Sequence, residues 1–140
     1  MKSVYNNIGV NCLITFFIYF SIYHLSYNVF HEYLFLWTAA NKYCYIWILS
    51  YLFLIFNKVI FSYCVTFGNI IGIFIGQYLG DYIQEIRMNK IISSSTVEER
   101  WYLSLHYGVA IWIITILLSF LVGLLLYKKQ KKHLSLKTRL

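Results

Sequence analysis

The chain has 140 residues, of which 60% are hydrophobic, 21% aromatic and only 12% charged. That balance lies outside the range of soluble domains and identifies lipid as the solvent for which the chain is built. The net charge of +7 does not point to nucleic acid, because six of the 12 Lys/Arg residues follow Tyr127 (Lys128, Lys129, Lys131, Lys132, Lys137 and Arg139) and form a flank rather than a distributed patch.

Each span needs roughly 20 mainly apolar residues, so four spans would use more than half of the chain and leave no room for a separate catalytic domain. The first apolar stretch runs from about Ile8 to Phe30. Lys2 ahead of it resembles the start of a signal peptide, but no small-residue cleavage site follows, so it reads as an uncleaved span. On a helical wheel Cys12, Thr15, Tyr19, Tyr23 and Ser26 share one face, which suits contact with other helices. Ile14, Phe17, Ile18 and Leu25 lie opposite and suit lipid.

His31, Glu32 and Tyr33 break the pattern before a second stretch, about Leu36 to Phe56. Asn41 and Lys42 near its start make it the least regular span. Lys42 can snorkel to the headgroups, among the interfacial aromatics Trp37, Tyr43, Tyr45 and Trp47. If Lys42 ends the span instead, three spans remain.

After Asn57 and Lys58 the third span is expected over about Val59 to Tyr82. Gly68, Gly72, Gly76 and Gly80 recur at four-residue steps, with Ser62 and Asn69 on the same stripe. In lipid such a ladder lets a second backbone approach closely, which offsets the roughly 1 kcal/mol helix penalty of each glycine in water. Gln77 points away from the stripe and is a candidate hydrogen-bonding contact to another helix or subunit. Asp81 is placed at the water boundary.

From Asp81 to His106 the chain is polar. Thr96-Val97-Glu98-Glu99 fits a capping box, so a helix is expected to start near Val97. It is expected to continue without a break through His106 into the fourth span, about Tyr107 to Tyr127. There Gly108, Thr115, Ser119 and Gly123 share a face with Trp112, complementary to the glycines of the third span. The expected fold is therefore an all-α polytopic bundle over residues 1–127, with spans three and four as a close antiparallel hairpin, a polar extramembrane segment over 83–106, and a basic tail over 128–140.

With four spans, the tail, Lys2 and Lys58 place eight Lys/Arg on one side against Lys42, Arg87, Lys90 and Arg100 on the other. The more basic side is retained in the cytoplasm, so both termini are expected there. The lysines of the tail, Lys128, Lys129, Lys131 and Lys132, are expected to meet anionic headgroups at roughly 1 kcal/mol each. The absence of proline and the abundance of Ile, Asn, Lys and Tyr read as AT-rich coding, which points to a bacterium and its plasma membrane.

No constellation suggests an enzyme, a metal or a cofactor. Cys12, Cys44 and Cys64 lie inside apolar stretches and read as small buried hydrophobes. His24, His31, His106 and His133 fall near span ends or in the tail. The one pairing with chemical promise is His106 with Glu99, seven residues apart on what would be one helix face. Lys42 and Asp81 are the ionisable groups nearest the membrane interior. The final Thr138-Arg139-Leu140 matches a peptide-capture pattern that chance supplies often.

Function is expected to lie in helix packing: a non-enzymatic accessory or assembly protein that docks on a membrane partner or on itself through the glycine stripe. A small oligomeric channel- or holin-like permeability protein is the alternative. Protection of a producing cell against a membrane-active peptide is a third. A pore should show a polar stripe along a whole span, and the stripe seen in span one lacks charge, so the accessory reading is preferred.

Overall fold

The computed structural model describes residues 7–41 and 44–137. They form six helices: α1 (Ile8–Asn28), α2 (Tyr33–Ala40), α3 (Cys44–Ile55), α4 (Val59–Met88), α5 (Val97–Ser104) and α6 (Gly108–Lys137). Three stretches are long and apolar enough to cross a membrane, namely Ile8–Asn28, Val59–Met88 and Val97–Gln130, the last including the bend between α5 and α6. A shorter apolar helix covers Tyr45–Ile55. The chain is thus all-helical among the described residues, with the apolar helices of a multi-pass membrane protein.

α1 begins where Asn7 accepts the amide of Gly9, an N-cap that satisfies one of the donors left over in a first turn. It buries Asn11, Thr15, Tyr19 and Ser26, while Leu13, Phe16, Phe17 and Phe20 stand exposed. The buried face is therefore the polar one, an inversion of the soluble pattern that suits an apolar solvent.

The second apolar stretch is two helices rather than one. α2 ends at Asn41, whose side-chain amide donates to the Trp37 carbonyl at 2.8 Å, and α3 starts at Cys44. An asparagine that bonds back to the preceding turn competes with helix continuation. Lys42, expected to snorkel from this stretch, lies outside the described residues. α3 closes in a Schellman motif: Asn57 has φ 55°, its amide donates to Leu54, and the Lys58 amide donates to Phe53 at 2.7 Å. The left-handed residue turns the chain straight into α4.

α4 runs six residues beyond the expected end of its span, to Met88, about 45 Å in all at 1.5 Å per residue. Half of its apolar window is buried, against 17% for each of the other two, so the bundle is built around it. The core at its middle is Leu34, Phe35, Ile73, Trp112 and Ile116, with Phe30 stacked on Phe35 and Phe74 meeting it edge to face.

The capping box is present: Thr96 Oγ1 accepts from Glu99 N, and Glu99 accepts from Thr96 N at 2.9 Å. The uninterrupted helix expected from Val97 through the fourth span is not. α5 stops at Ser104, Leu105 is extended (ψ 128°), and α6 begins at Gly108. The end of α6 differs too, since the segment read as a tail after Tyr127 stays helical to Lys137. Lys, Gln and Leu are good helix formers, and no glycine or proline intervenes.

A polar and glycine-lined hub as the candidate functional site

The two faces of α4 meet different neighbours. On the α6 side, a Cβ added at Gly68 would collide with Ser119. At Gly72 it would lie 3.0 Å from the Trp112 ring and 3.2 Å from Thr115 Cβ. At Gly76 it would lie 2.6 Å from the Gly108 carbonyl and 2.7 Å from a Leu34 methyl. Real Cβ atoms do not sit so close to backbone, so the α4 and α6 main chains are nearest at Gly76 and Gly108. Gly123 is less confined, 3.2 Å from the Phe61 ring and 3.4 Å from Cys64. The neighbours of these glycines belong to the same chain.

Gly80 serves a different purpose. The His106 ring lies 2.5 Å from where its Cβ would be, and the same ring collides with a Cβ at Gly108. The two glycines make the slot that an imidazole fills. In that slot Nδ1 accepts the Gly108 amide at 3.1 Å, and Nε2 meets Asp81 Oδ1 at 3.0 Å. Because Nδ1 is an acceptor, the ring proton belongs to Nε2 and is donated to the carboxylate. The His106 side chain is 6% exposed and that of Asp81 48%, so the pair sits at the edge of the bundle with the ring inward. Tyr33 covers it at 4.7 Å between centroids.

The second oxygen of Asp81 accepts from Gln77 Nε2 at 2.7 Å, and Gln77 Oε1 accepts the Leu34 amide at 2.6 Å. One chain of bonds thus joins the start of α2, the middle of α4 and the start of α6. It also explains the break before α6: His106 turns back to cap Gly108 and reach Asp81, a geometry closed to a residue inside a helix. The pairing expected between His106 and Glu99 is therefore corrected. Glu99 spends its carboxylate on the capping box of α5, and the partner of His106 is Asp81.

Further along α4 the polar stripe continues. Trp112 Nε1 donates to Asn69 Oδ1 at 3.0 Å. Thr66 bonds Ser50 at 3.3 Å and the Ser62 carbonyl at 2.8 Å. Tyr19 and Ser50 hydroxyls lie 2.7 Å apart, and Tyr63 donates to Asn11 at 2.7 Å. Thr115, half-buried, donates to the Ile111 carbonyl of its own helix at 2.9 Å. Four buried polar atoms among the described residues have no partner: Thr15 Oγ1, Trp47 Nε1, Ser62 Oγ and Asn69 Nδ2.

Ser62, Thr66, Asn69, Gln77 and Asp81 thus share one side of α4 over about 28 Å, close to the roughly 30 Å depth of the hydrocarbon. Sequence reasoning singled out Ser62, Asn69, Gln77, Asp81 and His106 but missed Ser50, Thr66, Asn11 and Tyr63. Thr66 carries a signal, lying four residues after Ser62 and three before Asn69. Ser50 and Asn11 reveal their role only once the helices are placed.

Of the basic residues beyond Tyr127, Lys128 and Lys129 are exposed; the side chains of Lys131 and Lys132 lie outside the described part. Among the described residues no group of three or more His, Cys, Asp or Glu is arranged to hold a metal ion. No family model matches the chain, and no curated protein or solved structure is significantly similar to it.

Proposed function

We propose that the protein is a four-crossing plasma-membrane protein that works without enzymatic chemistry, as an accessory or assembly unit docked on another membrane protein or on copies of itself. α1, the α2–α3 pair, α4 and α6 make the four crossings. α4 and α6 form the antiparallel small-residue hairpin, and the basic excess holds both termini in the cytoplasm.

The observation that carries this reading is that both faces of α4 are used inside the chain. Its glycines meet α6 and Leu34, and its polar groups meet α1, α2, α3 and α6. The bundle is therefore preassembled. What it turns outward at membrane depth is aliphatic and aromatic, as in Phe17 and Phe20 of α1 and Ile114, Leu117, Leu121 and Leu125 of α6. Such a surface recognises apolar helices by shape rather than by charge.

Native mass spectrometry of the protein, extracted gently from its host membrane, tests this. A stoichiometric complex with a second protein, or a defined homo-oligomer, is the expected result. A monomer carrying lipid alone overturns it.

One observation favours a permeability function instead. The polar stripe on α4 is as long as a membrane is thick, and four buried polar atoms along it and its neighbours are unpaired. Leakage of ions or dye from vesicles, rising with protein density, would establish that reading.

A further inference from the structure

We infer that the basic end of the bundle carries a built site for one anionic phospholipid, with its phosphate headgroup at Lys58 and an acyl chain along the seam between α4 and α6. The inference rests on the membrane reading above but not on the identity of any protein partner.

Acidic side chains are confined to one end of the molecule, which they share with Arg87, Lys90 and Arg100. The carboxylates are Glu32, Asp81, Glu85, Glu98 and Glu99, and all five belong to the end formed by the start of α2, the last turns of α4, and α5. The opposite end holds Lys58, Lys128 and Lys129. Among the described residues no carboxylate lies within ion-pair distance of Lys58. Its ammonium donates to Tyr127 Oη at 2.9 Å and lies 4.6 Å from the centre of that ring. An ammonium has three donors, so an anion is the partner that its charge still lacks.

A cleft of about 380 Å³ opens at this lysine, lined by Asn57, Lys58, Tyr63, Tyr127 and Gln130 together with the first turn of α4. That is the small end of the range for ligand sites. The lining presents the Lys58 ammonium and the carboxamides of Asn57 and Gln130 and contains no acid, a donor set suited to a phosphate diester. The positive end of the α4 dipole adds to the same field.

The second observation is independent of charge. An apolar groove of about 230 Å³ is lined by Tyr63, Cys64, Phe67, Gly68, Ile71, Ser119 and Val122. It shares Tyr63 with the cleft and leads away from it toward the middle of α4. From Lys58 to Ile71 the helix rises about 20 Å, the scale of one leaflet with its headgroup layer. A polar cleft at the membrane surface that adjoins an apolar groove, the two together about 20 Å long, matches a phospholipid and exceeds what a free anion needs.

The test is lipid retention by the intact protein, read by native mass spectrometry after exchange into nanodiscs of phosphatidylcholine containing a minor share of phosphatidylglycerol with the same acyl chains. One phosphatidylglycerol per chain should survive release from the disc. Lys58→Gln should weaken its retention roughly tenfold, the effect of losing one charge-assisted contact, while Lys90→Gln at the acidic end should leave it unchanged. Val122→Trp fills the groove from its lipid-exposed side without touching the headgroup cleft, and should also release the lipid. Equal retention of both lipids by the unaltered protein overturns the proposal. So does unchanged retention in Lys58→Gln with an unaltered circular dichroism spectrum. Displacement of the lipid by millimolar inorganic phosphate would assign the cleft to free anions and overturn it as well. A protein partner found or missing in the same spectra bears on the accessory function alone.

Discussion

Along its contact with α6, α4 presents Gly68, Gly72, Gly76 and Gly80, whereas toward α1, α2 and α3 it presents Tyr63, Gln77 and Thr66 in turn. The first contact removes side chains so that backbones touch, and its energy is dispersion summed over many atoms. The second keeps side chains and joins them by a few directed bonds. Both solve the same problem, since lipid offers no hydrophobic force to drive helices together. They should fail differently: the glycine contact steeply with added volume, the polar one moderately with lost partners.

The steepest failure is expected at Gly76, where any side chain must displace the Gly108 carbonyl. Gly76→Leu should destabilise the bundle by about 3 kcal/mol or more, beyond the usual range for overpacking because the obstacle is backbone. Unfolding in mixed detergent, followed by helical circular dichroism and by crosslinking between cysteines placed on α4 and α6, measures it. Tolerance of leucine there would mean that the helices are not in close contact.

On the polar side, Gln77→Leu conserves volume but strips the Leu34 amide of its acceptor and Asp81 of a donor. An unpaired buried amide costs about 1–3 kcal/mol. The more specific consequence is faster hydrogen exchange at the Leu34 amide, with little change on the α4–α6 side.

His106 belongs to both regions, because its ring fills space left by Gly80 and Gly108 and bonds Asp81. Gly80→Ala should be unfavourable in the native chain and markedly less so beside His106→Ala, with a coupling of about 1 kcal/mol. Additive effects would separate the histidine from the glycine slot.

How far these regions were legible in the sequence follows from what makes them. The glycine ladder and the capping box of α5 are local patterns with fixed spacing, and helical periodicity exposes them. Of two helix ends, that of α2 at Asn41 follows a local bond to the Trp37 carbonyl, whereas the break at residues 105–107 is not local. The second arises because His106 meets Asp81, 25 residues away. Seven-residue spacing pointed to Glu99 only on the assumption that one helix joined them. Gln77 could be singled out as a lone polar residue deep in a span, but its acceptor role toward the start of α2 spans 43 residues and needed the placed helices. Asn57, by contrast, announced a break that its left-handed backbone explains.

The smallest effect separates close packing from mere glycine content. Gly123 belongs to the same small-residue stripe as Gly108, yet the nearest atoms to a Cβ there would be the Phe61 ring edge at 3.2 Å and Cys64 at 3.4 Å. Both neighbours are side chains that can give by a few tenths of an ångström. Alanine also removes the backbone freedom that glycine has in the unfolded state, a gain of about 0.4–1 kcal/mol where the conformation allows it. Gly123→Ala should therefore stay within about 0.5 kcal/mol of the native chain, on the stabilising side if Phe61 relaxes. The same detergent unfolding curve reads it. A loss comparable with that at Gly76 would show that α4 and α6 are in close contact along their whole length, and that the contact does not open toward the basic end.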